Sequence, residues 1–547
     1  MKGDKSNMKR MKKLVTLLLS LVMLCAFAMP AMAAEPTYSI TITGAKGHTY
    51  TAYQIFSGVY FQDNGENSTE TGKEYLSDVQ WGDAIDVDTF LPALRASTII
   101  GTDFTDKTSA EDVAYVLQEY GDKSKELDEF ARIVGNHLKT AAAGKKSTVV
   151  GENMKATIDD LFAGYYFVKD TGTIGDGEIA TKFLVKVVGN ASVTVKAQAP
   201  EFEKKVVNGS ADKGTSVNIG DKVTFQLTAK VPDMASFEKY TFTMHDTLSK
   251  GLDFNKESVK VTVNGRPIAN ATDSNDKYTL TYPTATGSSD TFTIAFTETQ
   301  LKGLVNHTDG TTPFGATIVV EYTATLNKNA LLKDVETNKA YLKYTNNPGS
   351  DSTGTKKTPE TPAYVYDFDI EIAKYDGTNG DTAADKEKKL ECATFILYKV
   401  EGEGSAAKKL YYVQDTTTKA VTWTETEAGA TKFTTDKNGK ATFQGIAAGT
   451  YYLHETQSPD GYNSLKKDPE VEIKATYGKD GKLESSSATS TDNGQYIQIQ
   501  SISNKAGAVL PSTGGIGTTI FYVLGSILVL GAAVLLIVKK RMKDQER

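Results

Sequence analysis

Alternation of apolar and polar residues dominates the chain between about residue 35 and residue 505. Runs such as Tyr38 to Thr43 repeat this pattern, and Gly, Asn and Asp separate one run from the next. A period of two is that of a strand with one buried face. Many short strands divided by turn residues are typical of antiparallel β-sandwiches. The sequence therefore predicts a mainly β protein.

Three tandem domains are predicted along this stretch. The 547 residues, less their terminal segments, suit about three domains. Breaks fall at Ala199-Pro200 and in a stretch rich in Thr, Gly and Pro from Asn347 to Pro362. We place the domains at residues 34–198, 199–357 and 363–505.

The first domain departs from the strand pattern in three places. A helical period of apolar residues predicts helices over Asp86 to Ser97, Ser109 to Tyr120 and Lys125 to Leu138. Thr108 to Glu111 has the spacing of a capping box for the second of them. We expect these helical insertions to cover an open sheet edge.

Both ends of the chain carry membrane-related signals. Residues 1–33 combine a basic start, a short apolar core and Ala31-Met32-Ala33, which predicts a cleaved secretory signal peptide. At the other end, an apolar run from Ile516 to Val538 precedes Lys539, Lys540 and Arg541. A run of that length matches a bilayer core, and the basic cluster marks its cytoplasmic end.

Composition excludes several classes of function. The net charge is −7, and both terminal segments are basic, so the ectodomain between them is more acidic still. An acidic ectodomain disfavours binding to nucleic acid. We find no nucleophile, phosphate or metal motif, and we expect neither enzyme activity nor a cofactor. The Asp436-Lys-Asn-Gly439 stretch is interpreted as a hairpin turn rather than a calcium loop.

Cysteine usage shows that any covalent bracing must come from another bond. Outside the predicted signal peptide the chain has one cysteine, Cys392. An internal disulfide, the usual cross-link of exported proteins, is therefore impossible in the mature chain.

The second domain aims three reactive side chains at its core. Strand alternation puts Lys204 on the same face as Phe202 and Val206. The same parity turns Asn338 and Asp246 inward. A buried lysine is costly as a cation, and burial favours its neutral amine.

The third domain repeats this arrangement. Lys374 shares a face with Ile370 and Ile372 near the domain's start, and Asn504 shares one with Ile502 at its end. Glu455 lies between them in sequence and is aimed inward in the same way.

A buried lysine, asparagine and carboxylic acid can together form an amide. The neutral amine attacks the side-chain carbonyl of Asn, ammonia leaves, and the acid moves the protons. The expected products are isopeptide bonds between Lys204 and Asn338, assisted by Asp246, and between Lys374 and Asn504, assisted by Glu455. The first domain has no lysine in the strand Tyr38 to Thr43, and we predict no such bond there.

The C-terminal segment, residues 510–547, resembles the sorting signal of Gram-positive surface proteins. It has the pentapeptide Leu510, Pro511, Ser512, Thr513 and Gly514, then the apolar span and the basic tail. The resemblance implies that a sortase cuts after Thr513 and passes it as a thioester to an amine. It also implies a transient membrane anchor, followed by attachment to peptidoglycan.

The three domains resemble those of sortase-assembled pilus backbone subunits. Gly445 and the string from Tyr451 to Tyr462 are similar to the collagen-adhesin (Cna) B-type repeat, and the second domain resembles the isopeptide-forming middle domain of major pilins. The resemblance implies three Ig-like, Cna-type sandwiches. In that family a lysine at the end of the first domain supplies the amine. Lys196 has the corresponding position here, and Lys182 and Lys186 are the alternative candidates for the acceptor lysine.

The resulting hypothesis is a major pilin displayed on the cell wall. Its implied partners are a sortase, neighbouring and accessory pilins and peptidoglycan. The alternative is a wall-anchored adhesin that does not polymerise and binds a host or matrix ligand.

Overall fold

A computed structural model describes most of the chain between the two terminal segments, together with the C-terminal helix. The described residues are 36–44, 46–62, 74–121, 124–195, 200–231, 239–270, 277–283, 289–305, 315–332, 335–347, 354–491, 494–508, 510 and 516–543. The predicted signal peptide, Lys196 and residues 511–515 of the sorting pentapeptide region lie outside them.

The first domain is a sandwich of a three-stranded and a larger sheet. Its sheets have the orders β5-β1-β8 and β3-β2-β6-β7, with β4 added to β2. The strands are β1 (Tyr38–Thr43), β2 (Tyr50–Gln62), β3 (Glu74–Trp81), β4 (Lys145–Lys146), β5 (Lys155–Leu161), β6 (Gly164–Asp170), β7 (Lys182–Val187) and β8 (Ala191–Thr194).

Three helices lie on the larger sheet of this domain: α1 (Val87–Ala96), α2 (Ala110–Leu117) and α3 (Lys125–Asn136). On β6, Phe167 packs with Phe90 and Phe130 of the helices, whereas Tyr166 and Val168 pack towards the three-stranded sheet. Adjacent residues of a strand face opposite sides of the sheet. The helices thus cover a face of the sheet, and our expectation that they cover an edge was wrong.

The capping box of α2 is shifted by one residue from the predicted one. The Ser109 hydroxyl accepts from the Asp112 backbone N–H at 3.1 Å, and the Asp112 carboxylate accepts from the Ser109 N–H at 3.2 Å. Ser109 is therefore the N-cap, and Asp112 fills the position usually held by Glu.

The second domain is a two-sheet sandwich with the sheet orders β10-β20-β18-β12-β16-β15, to which β19 adds, and β14-β13-β17-β11-β9. Its elements are β9 (Phe202–Val207), β10 (Gly214–Ser216), β11 (Lys222–Lys230), β12 (Phe242–Leu248), β13 (Leu252–Val263), β14 (Arg266–Ile268), β15 (Thr279–Thr281), β16 (Phe292–Phe296), α4 (Glu298–Val305), β17 (Thr317–Leu326), β18 (Glu336–Thr345), β19 (Thr355–Lys357) and β20 (Thr361–Tyr366).

The third domain is a smaller sandwich with the sheet orders β26-β21-β32-β31 and β24-β23-β22-β27-β28, with β25 added to β22 and a β29-β30 ribbon. Its elements are β21 (Phe368–Asp376), α5 (Ala383–Lys386), β22 (Thr394–Glu401), β23 (Lys408–Gln414), β24 (Val421–Thr424), β25 (Phe433–Thr434), β26 (Lys440–Ile446), β27 (Gly449–Gln457), β28 (Glu470–Ile473), β29 (Ala475–Tyr477), β30 (Leu483–Ser486), β31 (Thr489–Ser490) and β32 (Tyr496–Asn504).

A single residue, Asp367, separates the second domain from the third. Strand β20 ends at Tyr366 and pairs with β18, whereas β21 starts at Phe368 and pairs with β26 and β32. The sheet of the second domain therefore extends beyond the predicted boundary at residue 357. The Thr- and Pro-containing stretch that we read as part of a linker and of the third domain contains a paired strand.

Backbone hydrogen bonds reinforce this junction. The Ile219 N–H donates to the Gly445 carbonyl at 2.9 Å, and the Val421 N–H donates to the Ile219 carbonyl at 2.7 Å. Gly445 has φ +70°, and a Cβ atom there would lie 2.4 Å from the Ile219 side chain. Glycine is required at this point both by its conformation and by the close approach of the second domain.

The chain ends in α6 (Ile516–Lys543), which is long and apolar enough to cross a membrane. Mean hydropathy over an 18-residue window of this helix is 2.7, and basic residues occupy its last turn. The fold class is thus confirmed as mainly β, with an apolar helix at the C-terminal anchor.

Candidate functional site: two buried Lys, acid and Asn clusters

The first cluster lies between the two sheets of the second domain. Lys204 is on β9, at the edge of the five-stranded sheet, whereas Asp246 on β12 and Asn338 on β18 belong to the facing sheet. All three are buried: 1% of Lys204 is exposed and none of Asp246 or Asn338. The structure thus brings together the three residues that strand alternation turned inward.

Short contacts connect this cluster. Lys204 Nζ lies 2.5 Å from Asp246 Oδ2. Its amine also donates to the Tyr322 hydroxyl at 2.6 Å, and the same hydroxyl accepts from Asn338 Nδ2 at 2.8 Å. The Tyr322 O–H donates in turn to Asp246 Oδ2 at 2.6 Å. Amine, acid and amide are therefore all within one hydrogen bond of the phenol.

Burial controls the protonation of this cluster. Desolvation lowers the pKa of the Lys204 amine and raises the pKa of the Asp246 carboxyl, although the two groups oppose this effect on each other as partners. Both changes favour uncharged forms, because a dry site penalises charge. A neutral amine is nucleophilic, and a protonated acid can donate a proton to a carbonyl.

Tyr322 is a member of this cluster that sequence reasoning missed. It lies on β17, where Val320 and Ala324 share its inward face. A buried tyrosine hydroxyl usually finds a hydrogen-bond partner. That rule was the available signal, but the sequence does not reveal which strand β17 faces.

The second cluster has the same residue types in a different arrangement. Lys374 on β21 and Asn504 on β32 lie in neighbouring parallel strands of one sheet, with Lys374 paired to Ile502 and Asp376 to Asn504. Glu455 reaches them from β27 in the opposite sheet. A bond between the lysine and the asparagine would join two sheets in the second domain but two adjacent strands in the third.

Glu455 contacts both potential reactants. Its Oε1 lies 2.9 Å from Lys374 Nζ, and its Oε2 accepts from Asn504 Nδ2 at 2.9 Å. The Leu465 N–H also donates to Oε2 at 3.0 Å, and the Asn463 carbonyl accepts from Asn504 Nδ2 at 2.6 Å. Burial lowers the pKa of the Lys374 amine. The Asn463 and Leu465 contacts come from the backbone, so side-chain patterns could not predict them.

A tight turn closes over the second cluster. Residues 436–439 form a turn in which Asp436 Oδ1 accepts from the Asn438 and Lys440 backbone N–H groups. It leads from β25 to β26, which pair in different sheets, so the predicted hairpin was wrong. The Gly439 carbonyl accepts from the Lys374 N–H at 2.8 Å, and a Cβ atom on Gly439 would lie 2.3 Å from the Lys374 carbonyl oxygen. The turn thus positions the strand that carries the lysine.

Comparison with known proteins connects these domains to a family. Residues 369–484 match a model for SpaA-type domains with a prealbumin-like fold, and residues 502–546 match the LPXTG cell wall anchor motif. The chain is 24% identical over 438 residues to the trypsin-resistant surface T6 protein of Streptococcus pyogenes, covering 67% of this chain and 74% of that protein.

Two solved structures show the extent of the similarity. The T6 backbone pilin of S. pyogenes aligns with a TM-score of 0.51 at 18% identity, over 87% of this chain and all of that one. The major pilin SpaD of Corynebacterium diphtheriae aligns with a TM-score of 0.45 at 17% identity, over 88% of this chain and all of that one. The first of these shows that the chain shares a modular three-domain fold.

The anchor match accounts for the C-terminal segment. The protein is cell-wall anchored, after a transient stage in which its C-terminal helix holds it in the membrane. The comparisons thus describe a cell-wall-anchored protein that has a SpaA-type domain before its anchor and is similar over most of its length to a streptococcal surface protein.

Proposed function

We propose that the chain forms the covalent shaft of a pilus, with Thr513 of one copy joined to Lys196 of the next. The last subunit is joined to peptidoglycan. Accessory pilins, and a host or matrix ligand of the finished fibre, are further partners that this proposal includes.

The two buried clusters in series carry this proposal, because they suit a protein that must withstand pulling. In each, the lysine Nζ forms a bond to the asparagine Cγ while the Cγ–Nδ2 bond breaks. One amine proton moves to the departing nitrogen by way of the acid, and ammonia leaves. Asp246, with the Tyr322 phenol beside it, performs this transfer in the second domain, and Glu455 performs it in the third.

The resulting amides would transmit tension directly between the bonded residues, so that most strands of each domain would not bear the load. Force enters near Lys196 and leaves at Thr513. A bond from Lys204 to Asn338 bypasses the strands between them, and a bond from Lys374 to Asn504 does the same. An amide is not reduced, which suits an extracellular protein without a disulfide.

The three lysines considered as acceptors differ in their surroundings. Lys186 is half exposed, with its Nζ 3.6 Å from Glu74. Lys182 is partly buried, and its burial, together with the nearby Arg132, lowers its pKa to about 8. Lys196 lies two residues beyond β8, outside the described residues. Its place at the end of the first domain supports it as the acceptor.

A denaturing gel of cell-wall extracts tests the proposed function. We expect a ladder of products that resists boiling in detergent, because each junction between subunits is an amide. A single band at the size of the anchored monomer would contradict polymerisation and would favour a wall-anchored adhesin.

Intact mass measurement tests the internal bonds independently of assembly. We expect the mature ectodomain to be lighter than its sequence by two molecules of ammonia. Lys204→Ala and Lys374→Ala should each remove one of these deficits. A full-weight parent protein would contradict both bonds, whereas a deficit of two ammonia molecules that persists in Lys204→Ala would contradict the Lys204 bond alone.

A further inference from the structure

A loop of the first domain docks on the second domain. Residues 171–181 connect β6 to β7, and the Gly177 N–H donates to the Lys357 carbonyl at 2.9 Å. The Ala180 N–H donates to the Asn346 carbonyl at 2.8 Å. Ile179 packs against the core of the second domain. This docking loop, residues 171–181, therefore fixes the two domains to each other through noncovalent contacts.

A buried histidine lies at the base of the docking loop. The side chain of His48 is 1% exposed, and its Nδ1 is hydrogen-bonded to Asp170 Oδ2, at the end of β6. Its Nε2 lies 3.4 Å from Glu178 Oε2, within the loop. His48 thus lies between a carboxylate of the sheet and a carboxylate of the loop.

Glu178 connects the histidine to the interface. Its Oε2 also accepts from the Gly175 N–H at 2.7 Å, which fixes the side chain within the loop. Its backbone carbonyl accepts from the Tyr344 hydroxyl of the second domain at 2.8 Å. The residue that faces His48 is therefore itself a docking contact.

The other titratable groups around His48 are not candidates for a pH-sensitive group at the docking loop. Tyr50 stacks on His48 with ring centroids 6.4 Å apart, and burial raises its pKa to about 12. Burial also raises the pKa of Tyr344 to about 12. Both phenols therefore remain neutral. Asp176 faces away towards Lys357, whose N–H lies 3.4 Å from Asp176 Oδ1.

We propose that His48 is a pH-sensitive clamp that, when protonated, holds the docking loop of the first domain against the second. An imidazolium bridges Asp170 and Glu178 as a cation between two anions. A neutral imidazole has one N–H, keeps the bond to Asp170 and leaves Glu178 without a counter-charge. The loop then loses one of the interactions that fix its conformation.

The direction of the effect follows from the environment of His48. The hydrogen bond to Asp170 and the two nearby negative charges raise its pKa above the ordinary value of 6.5, against the opposing effect of burial. A raised pKa adds stability that is fully present below pH 6.5 and is lost as the pH rises through the folded-state value. The junction is therefore tight below pH 6.5 and loosens as the pH rises through the raised pKa of His48.

Hydrogen–deuterium exchange of the whole chain tests this proposal. The Gly177 and Ala180 amides, which donate across the junction, report on docking. Their protection, corrected for intrinsic exchange between pH 5.5 and 9, should fall on the order of tenfold, with a midpoint above pH 6.5. His48→Gln should remove this pH dependence.

A matched control and a second variant complete the test. His454 of the third domain forms a similar pair with Asp468, at 2.8 Å, and His454→Gln should leave the parent curve unchanged. Glu178→Gln keeps the pair of His48 with Asp170 and should flatten the curve even if His48→Gln does not fold. A parent protein with constant protection, or a Glu178→Gln variant with the full parental drop, would overturn the clamp.

Discussion

Replacement of Lys196 with alanine is expected to abolish the high-mass ladder and leave only monomer attached to the wall. The sortase thioester at Thr513 needs an amine, and without the acceptor lysine the only remaining outlet is the amine of the peptidoglycan precursor. Thr513 and the anchor are intact in this variant, so surface display should persist. The measurement is a denaturing gel of wall extracts, probed for the second domain.

Lys186→Ala and Lys182→Ala are the matched controls for this prediction. Both lysines lie on β7 in the same domain, and Lys186 is half exposed. We expect each to keep the parental ladder. Loss of the ladder in one of them, with a normal ladder in Lys196→Ala, would transfer the acceptor role to that residue and leave the pilus assignment standing.

Loss of the Lys204 amine is expected to destabilise the second domain by more than any surface substitution. By analogy with disulfides, closing a loop on the order of 100 residues is worth about 4 to 5 kcal/mol. Lys204→Ala also removes the partner of Asp246. The Asp246 side chain is fully buried, so its carboxyl group is left without this partner in the core. The variant should unfold at a markedly lower temperature and be cut by trypsin within the second domain.

Lys205→Ala provides the control for this effect. Lys205 is the next residue of the same strand, but it faces solvent, whereas Lys204 faces the core. The two variants carry the same substitution at neighbouring positions of one strand. Equal melting temperatures for them would show that the buried lysine has no special bond, whatever its distance from Asp246.

Strand alternation predicted the inward-facing members of the candidate clusters because it depends only on neighbours in sequence. Lys204, Asn338 and Lys374 are each 1% exposed or less, as the parity of their strands indicates. The three helices of the first domain were also found in their predicted places, within two or three residues at each end. Whether the clusters react remains a prediction.

Features that depend on pairing between distant strands could not be predicted in this way. Tyr322 joins the first cluster only because β17 faces β12 and β18 across the sandwich. Thr361 and Pro362 were predicted to end a linker, and residues 363–366 to begin the third domain. The strand Thr361–Tyr366 instead belongs to the second domain, because it pairs with β18. Likewise, the sequence of the first domain predicts its helices but does not indicate whether they cover a face or an edge of the sheet.

The single residue between β20 and β21 has a consequence for how an assembled fibre bends. One residue contributes two soft dihedral angles, and here strands on both sides are already paired within their sheets. The second and third domains should therefore turn together as one stiff segment. Because the docking loop also fixes the first domain to the second, curvature of the fibre would then concentrate where one subunit meets the next, which gives a hinge spacing of one whole subunit.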